Sequence, residues 1–260
     1  MFYRRRGRGP ALVLLHGFAS SSLFWSGLMS SLQADFDVIA PDWPGFGAAG
    51  LQPPYRRVRD FASGVVSLAD ELRLERMHIV GHSMSGFVVQ ELLCRHSDRL
   101  GRAVLYGAGL SVNRGRRFET VAQTRQRLQA EGAEAAARKV VGSWFADAAR
   151  SAAAKAACLE AAAGMSAEGA TAAIEATQDV DYTDKLRNCS TPTLVLSGEA
   201  ERSHPPASAL ELYQALGNAH LCILPLCGHA AHLEQPQWFE GVLREFLAGS
   251  EPSDTADRQF

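Results

Sequence analysis

Residues 77–86 read MHIVGHSMSG and carry the strongest structural signal in the chain. The first six of them form a short apolar run with the length and composition of a buried strand. The small residues of GHSMSG then mark a turn, and apolar residues at helical spacing follow over 87–94. A sharp turn between a strand and a helix exposes the residue at its apex. The pattern therefore predicts that Ser83 is exposed between a strand and a helix.

The same alternation of short apolar runs and helical patterns continues on both sides of this turn. Strands alternating with helices indicate a mostly parallel sheet covered by helices on both faces, which is a doubly wound α/β fold. Ligands in such folds bind at the carboxyl ends of the strands. The other predicted strands are 11–15, 37–42, 102–107, 193–198 and 220–225, and the helices are 24–32, 59–72, 207–216 and 238–247.

One long region interrupts the alternation late in the sheet. Residues 111–185 are rich in Ala, Arg, Glu and Gln and contain no strand pattern, so we expect a helical cap inserted over the site. The core is then a single discontinuous domain, residues 1–110 and 186–249, and the polar segment 250–260 is a flexible tail. Three large apolar residues of the cap are candidates for lining a substrate pocket, with the cap's own core as the alternative: Trp144, Phe145 and Met165.

The composition narrows the possible partners. With 260 residues, 47% hydrophobic and 21% charged, and a net charge of −2, the chain has the profile of a soluble globular protein with no nucleic-acid or membrane partner. The first apolar run, ALVLL, is too short for a signal peptide, so we expect a cytoplasmic location. The five cysteines are odd in number and lack CxxC spacing, which favours reduced thiols and no metal site.

The exposed serine predicts nucleophilic chemistry. A serine hydroxyl is a weak nucleophile, so it needs a base and hydrogen-bond donors for the oxyanion that forms. The first free N–H of the helix after the turn belongs to Met84. A second donor can come from the loop after the first clear strand, His16-Gly17-Phe18, where the glycine allows close approach. The N–H of Phe18 is the candidate.

A histidine near the end of the chain is the candidate base. Cys227-Gly228-His229 follows the last predicted strand, and the order of serine before histidine fits an order found among hydrolases. His232 lies only three residues further on and is the main competitor. The acidic partner should follow a strand between the serine and the histidine, and the loop 198–202, which contains two glutamates, has that position.

The combination of motifs resembles the α/β-hydrolase superfamily. HGF, PDWPGFG, GHSMSG, PTLVLSGEAER and CGHAAHLEQP occur in the family's order and span about residues 10–248. The chain is similar to a branch that contains small esterases, enol-lactonases, haloperoxidase-like perhydrolases and C–C bond hydrolases. The resemblance implies a nucleophile at Ser83, a base at His229 and oxyanion donors at Phe18 and Met84.

Two positions depart from the family's usual pattern. Glu201 stands where most members have the aspartate that orients the histidine, and Glu199 remains its competitor for that role. Ser85 stands where the G-x-S-x-G motif has its second glycine, and serine at this position occurs in branches that include small-molecule receptors. Because serine is still small, we expect the turn to form.

These observations predict a hydrolase of a small-molecule substrate, a carboxylic ester or lactone, that acts through an acyl-enzyme on Ser83. No metal and no organic cofactor is implied. One alternative is a C–C bond hydrolase that cleaves a ring-fission product with the same residues. The other alternative is a slow-turnover small-molecule sensor or an inactive homologue, which Ser85 supports.

Overall fold

A single seven-stranded sheet forms the centre of the computed structural model, which describes residues 1–112 and 118–249. The strand order is β1-β3-β2-β4-β5-β6-β7; β1 is antiparallel to β3, and all other neighbours are parallel. This confirms the mostly parallel sheet. The strands are β1 (Tyr3–Arg6), β2 (Ala11–Leu15), β3 (Asp37–Pro41), β4 (Met77–His82), β5 (Leu100–Tyr106), β6 (Thr193–Gly198) and β7 (Ala219–Leu224).

Helices follow the strands in the order that the sequence predicts, and several begin at identifiable signals. Thr120 forms a capping box with Gln123, which satisfies backbone N–H groups at the start of the longest helix. Proline occupies the first positions of the two helices near the C-terminus. The helices are α1 (Ser26–Leu32), α2 (Val58–Glu71), α3 (Ser85–Arg95), α4 (Val121–Gly142), α5 (Ala152–Ala162), α6 (Ala167–Thr177), α7 (Thr183–Leu186), α8 (Pro206–Ala215), α9 (Ala231–Glu234) and α10 (Pro236–Ala248).

The centre of the sheet is buried on both faces. Every residue of β2, β3 and β6 is buried, which explains why these strands read as unbroken apolar runs rather than as alternating patterns. The last strand, β7, is only half buried because it lies at the edge of the sheet. Among helices of the described ranges, none combines the length and apolar character that crossing a bilayer requires.

The structure adds a strand at the N-terminus that is not among the predicted strands. Tyr3–Arg6 forms the outer strand and pairs with β3. Apolar periodicity could not reveal it, because all four residues are exposed. A bidentate ion pair fixes the strand: Arg5 donates from Nε and Nη2 to the carboxylate of Asp37 at 2.8 and 2.7 Å. Charged side chains also protect an open sheet edge from pairing with other chains.

The helical region between β5 and β6 packs closely on the core, with contacts at Gly45 and at Glu234 among them. Gly169 and Gly45 approach so closely that a Cβ on Gly169 would lie 2.5 Å from the carbonyl oxygen of Gly45. Ser166 donates from its backbone N–H to the same oxygen at 2.9 Å. On the other side, the carboxylate of Glu234 accepts the N–H of Ala146 at 3.0 Å. The division into core and cap at residues 110/111 and 185/186 stays a prediction, and the predicted tail, 250–260, lies outside the described residues.

Candidate active site

Ser83 lies at the apex of the turn between β4 and α3 in a left-handed conformation, with φ of 54°. Such a conformation costs a non-glycine residue roughly 1–2 kcal/mol, so neighbouring contacts must hold it. Ser83 donates its N–H to the carbonyl of Tyr106 at 2.8 Å and accepts the N–H of Gly86 at 2.8 Å. The side chain is partly exposed and lines a cavity.

Two glycines permit the close packing of strand and helix at this turn. A Cβ on Gly81 would lie 2.5 Å from the carbonyl oxygen of Ser85, and one on Gly86 would lie 2.4 Å from the Cβ of Ala108. These distances exclude any side chain at either position. Position 85 carries a side chain, so the turn tolerates the departure from the G-x-S-x-G motif that the sequence shows there.

The hydroxyl of Ser85 is completely buried and hydrogen-bonded. It donates to the carbonyl of His16 at 2.5 Å and lies 3.1 Å from the indole nitrogen of Trp43, whose N–H it accepts. The same indole N–H also points at the His16 carbonyl, at 3.0 Å. The loop after β2 is thereby joined to the first residue of α3.

His16 is a structural histidine in this loop. Its Nδ1 donates to the carbonyl of Gly17 at 2.8 Å, and its Nε2 accepts the backbone N–H of Trp43 at 3.1 Å. This pattern requires the neutral ring. Burial lowers the pKa of His16 to about 4, which is consistent with that form. Gly17 lies directly against the turn, since a Cβ on it would be 3.0 Å from the Cβ of Ser83.

The two predicted oxyanion donors flank the serine. Phe18 and Met84 line the same cavity as Ser83. Within residues 1–112 and 118–249, neither backbone N–H donates a hydrogen bond to another protein group. Two unengaged donors beside a serine are what an oxyanion hole requires.

His229 and Glu201 form a buried pair in the loops after β7 and β6. The Nδ1 of His229 is hydrogen-bonded to Oε2 of Glu201, and both side chains are inaccessible to solvent. Oε1 of Glu201 accepts the N–H of Ser203 at 2.6 Å and that of His204 at 3.3 Å. A carboxylate on Nδ1 leaves Nε2 of His229 as the ring atom that can take a proton.

The competing glutamate faces elsewhere. Glu199 is exposed, and its carboxylate accepts the N–H of Leu226 at 3.2 Å. The structure therefore brings Glu201 and not Glu199 against His229. Ser83 and His229 both line the cavity, although in the described part of the chain their side chains are not hydrogen-bonded to each other. Such bonds are often long before substrate binds.

His232 and His82 lie near the site and make structural contacts. His232, the competitor for the role of base, has Nδ1 3.1 Å from the hydroxyl of Tyr106 and Nε2 3.1 Å from the carbonyl of Phe24. Burial lowers the pKa of His232 to about 4. His82 donates from Nε2 to the backbone carbonyl of His229 at 3.0 Å, and burial holds its pKa well below the usual value. Contacts occupy both ring nitrogens of His232, so that ring is not available to Ser83.

The cavity at Ser83 is small and mostly apolar. Its volume is about 70 Å³. Phe87 of α3, Val140 of α4 and Ile174 of α6 are among the apolar side chains that line it. Three hydroxyl groups also face it: Thr124, Thr177 and Ser203.

One of the three candidate cap residues lines this cavity. Trp144 lines the cavity, and the centre of its ring lies 5.4 Å from the centre of the His229 ring. Phe145 and Met165 are buried but are not among the described residues that line it. Met165 instead lies beside Ala137 and Leu159. The position of Met165 agrees with the alternative interpretation, packing within the cap, and the role of Phe145 stays a prediction.

Most of the residues that line the cavity were not predicted from the sequence. Ile174 and Thr177 are three apart on one helix, as are Val121 and Thr124. Helical spacing would have placed each pair on one face. It could not indicate that these faces point at the serine rather than at the core.

A parallel sheet with a serine at a strand–helix turn, opposite a carboxylate-bound histidine, is the framework of a hydrolase. A sequence model of the alpha/beta hydrolase family matches residues 12–242. The chain belongs to that family, which confirms the resemblance and makes the chain an enzyme of the hydrolase type.

Similarity to individual proteins extends over nearly the whole chain. The pyrrolizixenacetamide deacetylase of Xenorhabdus hominickii is 28% identical over 93% of this chain and 92% of its own length. The pimeloyl-[acyl-carrier protein] methyl ester esterase of Aeromonas salmonicida is 27% identical over 94% and 97%. Among solved structures, the enol-lactonase of Burkholderia xenovorans LB400 superposes with a TM-score of 0.87 at 25% identity, covering 95% of this chain and 96% of that one.

Proposed function

We propose that the chain hydrolyses esters or lactones with a small, uncharged acyl group, through an acyl-enzyme on Ser83. One observation carries the proposal: Ser83 at the turn shares a cavity with His229, which a buried Glu201 holds through Nδ1. The geometry supports a nucleophile, a base and an orienting carboxylate in those three roles.

The reaction proceeds in two stages. Ser83 Oγ bonds to the carbonyl carbon while its proton passes to Nε2 of His229, and the π electrons move to the carbonyl oxygen. The N–H groups of Phe18 and Met84 stabilise that oxyanion. The bond to the alcohol oxygen then breaks as His229 returns the proton to it. Water repeats the sequence on the acyl group and releases the acid, and Ser83 regains its proton.

The cavity supports a small and uncharged substrate. Pockets for drug-sized ligands measure roughly 300–1,000 Å³, whereas this cavity has about 70 Å³. Among the described lining residues none is Asp, Glu, Lys or Arg. Two of the similar proteins are named for ester and lactone hydrolysis, which supports the same bond class here.

Turnover of p-nitrophenyl acetate, butyrate and octanoate by wild type and Ser83→Ala tests the proposal. We expect the short esters to be the better substrates and Ser83→Ala to lose at least 1,000-fold in kcat, because removing the serine of a catalytic triad can cost about a millionfold. Ser197→Ala, which alters a buried serine of β6, should keep wild-type turnover. A fluorophosphonate should label Ser83, as mapped by mass spectrometry.

Two results would contradict the proposal. Labelling of another serine would remove Ser83 from the mechanism. Preferred cleavage of a dienoic diketone over all esters would favour the C–C hydrolase. A slow-turnover sensor would also label at Ser83 but would release acid far more slowly in the steady state, so the steady-state kcat separates it from the hydrolase.

A further inference from the structure

We infer that Ser85 is a positioning residue for the oxyanion hole: its hydroxyl fixes the loop that carries the Phe18 donor to the helix that carries Ser83. The inference rests on the proposed function, because it concerns the alignment of the oxyanion donors. Ser85 is the position at which the chain departs from the G-x-S-x-G motif.

The first step is the closed set of contacts around one carbonyl. The carbonyl oxygen of His16 accepts from Ser85 Oγ at 2.5 Å and from the indole N–H of Trp43 at 3.0 Å. Those two donors are themselves 3.1 Å apart. All three residues are completely buried, so no water can replace a lost bond at low cost. The orientation of the peptide after His16 is therefore fixed.

The second step connects this carbonyl to the donor. Peptide groups are planar, so only the dihedrals of Gly17 separate the His16 peptide from the one that contains the N–H of Phe18. In a trans peptide, that N–H points opposite to the carbonyl of Gly17, which His16 Nδ1 holds at 2.8 Å. Fixing both carbonyls fixes the direction of the Phe18 N–H.

The third step concerns the helix side. Ser85 is the first residue of α3, and Met84 precedes it as the N-cap. One hydroxyl therefore connects the carriers of both oxyanion donors. Because glycine has no hydroxyl, this bond is absent when glycine occupies the position. A fixed spacing of the two donors matters most when the carbonyl carbon becomes tetrahedral, so loss of the bond should act on kcat rather than on KM.

Substitutions at the two donors give the first test. We expect Ser85→Ala and Ser85→Gly each to lower kcat about tenfold with KM within twofold, since removing an oxyanion donor outright costs about 100–1,000-fold. Trp43→Phe should cost less, because Ser85 still holds the carbonyl. The double variant Ser85→Ala/Trp43→Phe should lose more than the product of the single losses, because each donor substitutes for the other.

A transition-state analogue gives the readout that a merely structural role would not move. A short alkyl trifluoromethyl ketone binds when Ser83 Oγ adds to its carbonyl, the π pair moves to oxygen and the serine proton moves to His229. Its affinity should fall in Ser85→Ala by the same factor as kcat/KM. Thr193→Val is the matched control, because Thr193 is a buried residue whose hydroxyl donates to a carbonyl, that of Thr191 at 2.9 Å, at the opposite end of the sheet.

The outcomes separate the inference from the proposed function. If wild type neither hydrolyses the esters nor labels at Ser83, the proposed function fails and the inference fails with it. If wild type does both, but Ser85→Ala and Ser85→Gly, folded as judged by circular dichroism, keep wild-type kcat and ketone affinity, the inference alone is overturned. A loss of the same size in Thr193→Val would also overturn it.

Discussion

At the scale of single residues, the carboxylate that faces His229 differs from the family's usual one by a methylene. The extra length of Glu201 is accommodated because Oε1 is held by the N–H groups of Ser203 and His204 while Oε2 reaches the histidine. The sequence left Glu199 and Glu201 as alternatives. The N–H of Glu201 donates to the carbonyl of Gly198 at 3.3 Å and closes a turn after β6. Side chains beyond β6 therefore no longer alternate between the two faces of the sheet, and no local sequence pattern predicts which glutamate points inward.

Shortening or removing this side chain should impair the histidine. We expect Glu201→Ala to lower kcat by roughly two to four powers of ten, because His229 loses both its orientation and the charge that stabilises its protonated form. Glu201→Asp should also be impaired, since a gap of about 1.5 Å opens at the histidine. Glu199→Ala, on the same loop, is the control and should stay within threefold. Steady-state kinetics on p-nitrophenyl butyrate measure all three.

The opposite ranking would refute this assignment. If Glu199→Ala were the damaging change, the carboxylate that acts in solution would be the one that the structure places at the surface. An unaffected Glu201→Ala enzyme would show that His229 needs no carboxylate partner.

At the scale of elements, the order of strands and helices follows from local sequence patterns, whereas the packing of the inserted helices against the core does not. Six strands were predicted to within two residues. For β2 to β6, burial on both faces imposes apolar runs, whereas β7 lies at the edge of the sheet and is only half buried. Gly45 and Gly169 carried no such signal. In the sequence, Gly45 is typical of a loop and Gly169 is a residue that weakens a helix. Their contact in the structure explains both glycines, because a Cβ on Gly45 would lie 2.6 Å from the Cα of Gly169.

A methyl group at this contact should disturb the inserted region. We expect Gly169→Ala to lower the free energy of unfolding by about 1–3 kcal/mol, the usual cost of overpacking, and to reduce activity because α6 lines the cavity. Gly241→Ala is the matched control. It lies within α10 with nothing within 4 Å of the added Cβ, so it should stabilise by about 0.4–1 kcal/mol. Urea unfolding measures both; a neutral Gly169→Ala would show that the helices adjust without cost.

At the scale of the whole molecule, a group of buried neutral histidines sets the response to acid. His16 and His232 have pKa values lowered by burial to about 4, and burial also lowers the pKa of His82 well below its usual value. An unfolded histidine titrates near 6.5. Below that pH these histidines therefore bind protons in the unfolded chain but stay neutral in the folded protein. The free energy of unfolding consequently decreases as the pH falls. The loss from His16 and His232 is complete once they protonate in the folded state, near pH 4.

The free energy of unfolding should accordingly decrease between pH 6.5 and 4. Each of these histidines contributes about 1.4 kcal/mol per pH unit within the window, which is large against a typical stability of roughly 5–15 kcal/mol. Urea unfolding at pH 8, 7, 6 and 5 measures the slope. His232→Gln should reduce the slope by about one proton, whereas His220→Gln, at an exposed position, should leave it unchanged. A free energy of unfolding that does not change with pH would contradict the conclusion that these buried histidines are neutral.

The insertion between two neighbouring strands has a consequence for biosynthesis. β5 and β6 are hydrogen-bonded side by side, from Ala103 opposite Thr193 to Tyr106 opposite Leu196, but the ribosome makes all the intervening helices before β6 exists. On the nascent chain, the edge of β5 that will pair with β6 therefore lacks its partner strand. Unpaired strand edges promote aggregation. Chains arrested on the ribosome near residue 190 should therefore be cut by protease in β5, and released full-length chains should resist. Ser83 emerges early in translation and His229 late, so on the proposed mechanism a truncated chain would carry the nucleophile without its base and should not hydrolyse esters.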